Sequence, residues 1–137
     1  GVILAAAGIN RLGLELGERV VYLDKDIVLP SPAQGILAIE IRENDNRIEE
    51  ILKSISHKET EIQSKVERAF LKAVGGNCHI PVGAYCEVIG DKICLEGLLG
   101  TIDGQVLIRK SLEGSLDSLE KIGYVLAQNI IREMDKS

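Results

Sequence analysis

VGAYCEVIGDKICLEGLLGTIDGQVLIRKSL, residues 82–112, decides the fold. Two turn pairs, Gly90-Asp91 and Asp103-Gly104, divide it into three apolar-rich runs. Glycine and aspartate adopt the backbone of tight reversals more readily than other residues, so each pair predicts a hairpin. The expected strands are Val82–Ile89, Lys92–Leu99 and Gln105–Leu112. Strands joined by hairpins run antiparallel.

The flanks on both sides are helical in pattern. Downstream, Ser115 is a good N-cap, with Asp117 and Glu120 near the positive end of a helix. Leu119, Ile122, Leu126 and Ile130 form its apolar stripe. Upstream, Ile48, Ile51, Leu52 and Ile55 recur at spacings of three and four. Ser56-His57-Lys58-Glu59 then reads as a capping box, serine first and glutamate three later. The helix it predicts carries Ile62, Val66, Ala69, Phe70 and Ala73 on one stripe and ends at Gly75-Gly76. From about Asp45 onward the order is helix, helix, strand, strand, strand, helix. That is an α+β unit, a three-stranded antiparallel sheet covered on one face by helices.

Residues before this unit read differently. Val2 to Ala7 has the unbroken apolar character of a buried parallel strand. Arg11, Leu12, Leu14 and Leu16 follow on a short helix that Gly17 stops. Arg19 to Asp26 is a connector, and Pro30-Ser31-Pro32 is extended because prolines restrict it. Ile36 to Arg42 reads as a strand entering a packed sheet, and Glu43 to Asn46 as a charged linker. Strands of this type want neighbours on both sides. The expectation is that a larger upstream part belongs with this chain.

Composition narrows the function classes. The chain has 137 residues, 45% of them hydrophobic and 27% charged, with a net charge of −5. No apolar run approaches the roughly 20 residues of a membrane helix. The four aromatic residues (Tyr22, Phe70, Tyr85, Tyr124) and the acidic balance make no platform for nucleic acid. Cys78, Cys86 and Cys94 are odd in number and contain no Cys-x-x-Cys pair, which argues against a disulfide framework. Cys86 and Cys94 sit among apolar strand neighbours and read as small core residues. Cys78 follows a helix end and two glycines and precedes Pro81, a place where a thiol can meet an electrophile. His79 and His57 lack the convergent partners of a zinc site, so no metal is expected. Gly8 to Gly13 lacks the lysine and hydroxyl residue of a phosphate loop.

Gly75-Gly76-Asn77-Cys78-His79-Ile80-Pro81-Val82-Gly83-Ala84-Tyr85 resembles the cofactor-attachment loop of the porphobilinogen deaminase (hydroxymethylbilane synthase) family, Glu-Gly-Gly-Cys-x-x-Pro-x-Gly-x-Tyr in form. Gly75 stands at the glutamate and Asn77 at the second glycine; asparagine tolerates left-handed backbone better than most residues. Glu67-Arg68-Ala69-Phe70-Leu71 resembles the helix before that loop. Leu4 to Gly13, Leu29 to Glu40 and Leu98 to Gly104 are similar to further family segments in the same order. The resemblance covers nearly the whole chain.

The resemblance implies an enzyme that joins four porphobilinogen molecules into hydroxymethylbilane with loss of ammonia, on the path to haem. It implies a dipyrromethane cofactor held by a thioether to Cys78, as a primer that stays when product leaves. It places Arg11 on carboxylates of cofactor or substrate, in the bidentate geometry a guanidinium allows. Gln34 and Gly35 fall in a cofactor-binding Gly-Gln-Gly-like turn, with Ala33 in place of the first glycine. Residues 1–26 correspond to the end of a second domain, 27–44 to a strand returning to the first, and 45–137 to a third, cofactor-bearing domain. The fold class implied is therefore α+β preceded by remnants of two α/β domains. The family's catalytic aspartate lies upstream, so no catalytic residue is expected here and the isolated chain is expected to be inactive. The remaining implications are a cytoplasmic, monomeric full-length protein that takes porphobilinogen and the growing pyrrole chain, with no nucleic-acid or membrane partner. Two other classes fit the residues alone: a non-catalytic ligand-binding or regulatory α+β module, and a thiol redox domain using Cys78.

Overall fold

The computed structural model describes residues 1–75 and 80–136. Its elements are α1 (Ala6–Arg11), a 3-10 turn (Gly17–Arg19), α2 (Asn46–Lys53), α3 (Lys58–Ala73), β1 (Val82–Ile89), β2 (Lys92–Gly100), β3 (Leu107–Ser115), a second 3-10 turn (Leu116–Ser118) and α4 (Leu119–Met134). Among the described residues no helix is long and apolar enough to cross a membrane.

The three strands form one antiparallel sheet in the order β1-β2-β3. Cys86 faces Leu95, and Leu95 faces Leu112. Alternation puts Ala84, Cys86, Ile93, Leu95, Leu99 and Ile108 on the face that α3 and α4 cover. Val66 and Phe70 of α3 and Leu126 and Ile130 of α4 close this core. Each such side chain contributes about 1.5–3 kcal/mol by leaving water. Two glycines let the layers meet. A Cβ on Gly97 would stand 2.7 Å from the Phe70 ring, and one on Gly123 would stand 2.7 Å from both the Val66 carbonyl oxygen and the Phe70 amide.

The expected sheet and the helices packed on it form, with shifted ends. The short helix expected over Arg11, Leu12, Leu14 and Leu16 does not: α1 ends at Arg11, left-handed Gly13 (φ 62°) turns the chain away, and Gly17 opens a 3-10 turn instead of closing a helix. β3 starts at Leu107 rather than Gln105 because the hairpin consumes two more residues. Asp103 Oδ1 accepts from Thr101 Oγ1 at 2.5 Å and from the Gln105 amide at 3.1 Å, while Val106 N–H donates to Thr101 Oγ1. At its other end β3 runs to Ser115, since β2 begins at Lys92 and the two pair. Ser115 caps the 3-10 turn that leads into α4, accepting from the Asp117 amide. The cap of α3 is His57, not Ser56. Its Nδ1 accepts from the Thr60 amide and meets Thr60 Oγ1 at 2.8 Å. Asp45 caps α2.

The two strands expected at Val2–Ala7 and Ile36–Arg42 do not form. Ala6 and Ala7 belong to α1, and residues 36–42 are irregular. Among the described residues neither segment has a strand beside it, and a lone strand leaves its N–H and C=O groups without partners. Val2 is 82% exposed and Leu37 91%.

Candidate functional site

Residues 25–33 cross the sheet face opposite the helices as a strap. Arg109 on that face donates from Nη1 to the Asp26 carbonyl at 2.7 Å, from Nη2 to the Lys25 carbonyl at 2.9 Å, and from Nε to Glu96 at 2.6 Å. Lys25 pairs with Glu87 at 2.7 Å and lies 4.7 Å from the Tyr85 ring centroid. Further on, the Ala84 amide donates to the Pro30 carbonyl at 2.9 Å. Gly83 lets the strap pass this closely: a Cβ there would be 3.1 Å from the Leu29 carbonyl oxygen.

The strap ends in the turn that carries Gln34 and Gly35. Gln34 N–H donates to the Ser31 carbonyl, and Ala33 and Gly35 both have left-handed backbone, φ 60° and 78°. A left-handed alanine costs about 1–2 kcal/mol, so something must hold it. Glu67 of α3 does so. Its Oε2 accepts from the Ala33 amide at 2.6 Å and its Oε1 from the Cys86 amide at 2.8 Å. Burial raises the Glu67 carboxyl above its ordinary value, against the two amides that lower it.

Between this turn and the end of α3 lies a groove of about 580 Å³, lined by Pro32, Ala33, Arg68, Leu71, Lys72 and Gly75. Arg68 and Lys72 are exposed and make no ion pair among the described residues. α3 ends through left-handed Gly75, φ 65°, whose amide donates to the Lys72 carbonyl. Cys78 and His79 lie outside the described residues. The chain is anchored again at Pro81, whose carbonyl accepts from the Gly100 amide.

Two family models match in chain order. "Porphobilinogen deaminase, dipyromethane cofactor binding domain" matches residues 1–50, and "Porphobilinogen deaminase, C-terminal domain" matches residues 61–132. The chain belongs to the porphobilinogen deaminase family. The curated porphobilinogen deaminase of Clostridium novyi (strain NT) is 53% identical over 98% of this chain and 46% of its own length. That of Clostridioides difficile (strain 630) is 47% identical, over 98% and 44%. That of Carboxydothermus hydrogenoformans is 43% identical, over 96% and 42%. The chain thus spans less than half the length of these relatives. The family is enzymatic, and its cofactor is dipyrromethane.

Arg11, Gln34 and Gly35 all fall within the match to the cofactor-binding domain, and Cys78 within the match to the C-terminal domain. Arg11 is exposed at the last turn of α1, and Gln34 and Gly35 are exposed at the turn after the strap. Among the described residues no hydrogen bond or ion pair joins Arg11 to Gln34 or Gly35. Cys86 and Cys94 are free thiols of the sheet; burial pushes Cys86 up to about 12 and also raises Cys94. Cys86 is the core thiol that the sequence predicts, and it stays protonated at neutral pH. Cys94 is not: alternation turns it to the opposite face of the sheet, half-buried between Glu87 and Glu113 of the neighbouring strands.

Sequence reasoning missed Glu67, Arg68 and Lys72. The first leaves a trace, an acid set between Val66 and Phe70 on an apolar stripe. The other two read as a solvated helix face until the turn at Pro32–Ala33 is placed beside them.

Proposed function

We propose that this chain is the C-terminal part of a porphobilinogen deaminase, which condenses four porphobilinogen molecules into hydroxymethylbilane with release of ammonia. The reading assigns residues 1–26 to the end of a second domain, 27–44 to a return to the first, and 45–137 to the third. Cys78 is assigned the thioether to dipyrromethane. Arg11, Gln34 and Gly35 are assigned to cofactor and substrate. The enzyme class is a transferase of haem biosynthesis, in the cytoplasm, monomeric when full-length.

The observation that carries this reading is the groove that Gly75, three residues before Cys78 in sequence, helps to line. The cofactor and product of the family carry several carboxylates. A groove flanked by Arg68 and Lys72, opening between the Gln34 turn and Gly75, suits such a ligand. A guanidinium at Arg68 forks onto a carboxylate, and Lys72 adds a point charge. When bound, the cofactor supplies the free pyrrole end to which new units are joined. The chain's own residues fix its position: Cys78 by a covalent bond, the basic pair by charge, and the strap by holding the turn against the sheet.

The chain's overall charge is −5, a poor match for a growing polycarboxylate. The reading therefore locates most of the positive cleft upstream, where the family resemblance also puts the catalytic aspartate. The isolated chain is expected to release no hydroxymethylbilane from porphobilinogen. Product formation by the chain alone would overturn that part.

Intact mass measurement with peptide mapping tests the rest. An added mass of two linked pyrrole units on the Cys78 peptide is the expected result in the full-length protein. A full-length protein with bare Cys78 that still turned over porphobilinogen would refute the assignment of the thioether.

A further inference from the structure

Glu67 is the one buried charged side chain among the described residues, 6% exposed. A carboxylate taken out of water is costly unless its oxygens are satisfied. Each of its oxygens accepts one amide, and the two amides come from distant segments, Ala33 in the turn and Cys86 in β1. The Cys86 amide is an edge group. β1 is the end strand of the sheet, and its outward amides at Ala84 and Cys86 find the Pro30 carbonyl and Glu67 instead of a fourth strand. The Ala33 amide belongs to a residue in left-handed backbone, a state that persists only when its surroundings impose it.

We infer that Glu67 is a positioning residue, whose carboxylate clasps the Pro32–Gly35 turn to the free edge of β1 and thereby sets where Gln34 and Gly35 stand against the domain that carries Cys78. The clasp follows from geometry alone. The roles of Gln34, Gly35 and Cys78 in it rest on the function proposed above.

The chemistry requires a glutamate. Glutamine fills the same volume but has one acceptor oxygen, and its NH₂ would face the second amide, donor against donor. Aspartate is one methylene short of spanning both. Glu67→Gln is therefore a near-isosteric way to open half of the clasp.

Amide hydrogen exchange, followed residue by residue in this chain, is the first arm. In the unaltered chain the Ala33 and Cys86 amides are expected to be protected. In E67Q one of them should exchange about tenfold faster or more, as expected for loss of a bond to a charged acceptor. Gln34 and Gly35 should follow, while Ile93 and Leu95 at the sheet centre keep their rates. An unprotected Ala33 amide in the unaltered chain overturns the inference. So does an equal acceleration of every amide, which would reduce Glu67 to general stability. The second arm uses the full-length deaminase and measures porphobilinogen turnover in E67Q, Gln34→Ala and the double variant. If Glu67 acts through the turn, the losses do not add and the double variant is no slower than Q34A. Additive losses overturn the inference. Normal turnover in Q34A would refute the role proposed for Gln34, and the exchange arm then decides the clasp by itself.

Discussion

Glu67 and Cys86, joined through the Cys86 amide, show how one burial event sets several chemistries. Burial moves both groups toward their neutral forms, and the Glu67 charge pushes the Cys86 thiol further up, to about 12. A thiol so placed is almost entirely protonated at pH 8. Iodoacetamide at that pH is expected to leave Cys86 unlabelled in the folded chain and to label it readily in denaturant; equal rates in the two states would contradict its burial. Glu67 makes a pH prediction. Its carboxyl is raised above the ordinary 4.5, so the folded state keeps this proton to a higher pH than the unfolded state does. That contribution is complete below the ordinary value and is lost as pH rises through the folded value. Denaturant midpoints measured against pH should therefore show the wild type losing stability relative to E67Q across the window just above 4.5. A rising difference would mean that the two amides outweigh burial.

At the scale of elements, the α3–α4 contact turns on Gly123. The backbone of α3 lies where a methyl group would go, and backbone cannot swing aside as a side chain can. Gly123→Ala is expected to cost about 3 kcal/mol or more, by forcing the helices apart. Gly97→Ala meets only the Phe70 ring and the Leu126 methyl, which can shift, so about 1–3 kcal/mol is expected. Chemical denaturation of both variants checks the order, and a milder G123A would mean that the helices can slide. Much of this layer was legible in the sequence. Gly90-Asp91 and Asp103-Gly104 marked the hairpins, and the stripe from Ile62 to Ala73 marked the face of α3, because turns and periodicity are local signals. The failures were non-local. Val2–Ala7 and Ile36–Arg42 have strand composition, but a strand exists only with a partner, which no local pattern reveals. His57 displaced Ser56 as a cap because an imidazole nitrogen can accept from the N-terminal turn, a choice the capping-box pattern does not include. At the site, Cys78 was legible through its resemblance to a known loop. Glu67 was not, since a buried acid is recognised by the two amides that converge on it, and those lie far apart in sequence.

For the whole molecule, the strap decides how residues 1–35 are carried by the sheet. Its first anchor is Arg109, which holds two successive carbonyls, Lys25 and Asp26, while Glu96 fixes the guanidinium from behind. Lys25 is at once held by its backbone and spread over Tyr85 toward Glu87. A protease cuts chain that has opened locally, so where opening and closing are fast the rate of cutting reports the local opening equilibrium. Trypsin should therefore spare the bond after Lys25 while it cuts exposed sites such as Lys53. Arg109→Ala removes the fork without touching the core under α3 and α4. Cleavage after Lys25 is expected to quicken by about tenfold or more, as release of bonds to a charged group implies. Cleavage after Lys53 should keep its rate, because among the described residues the hydrogen bonds of Arg109 go to Lys25, Asp26 and Glu96 and none to α2. Ala33 and Pro30 would still be tied to the sheet by Glu67 and by the Ala84 amide, so the new cut should stop short of the Gln34 turn. If R109A instead loosened the turn as well, the strap would be a single cooperative unit with one anchor, and Glu67 would hold the turn only while Arg109 holds the strap.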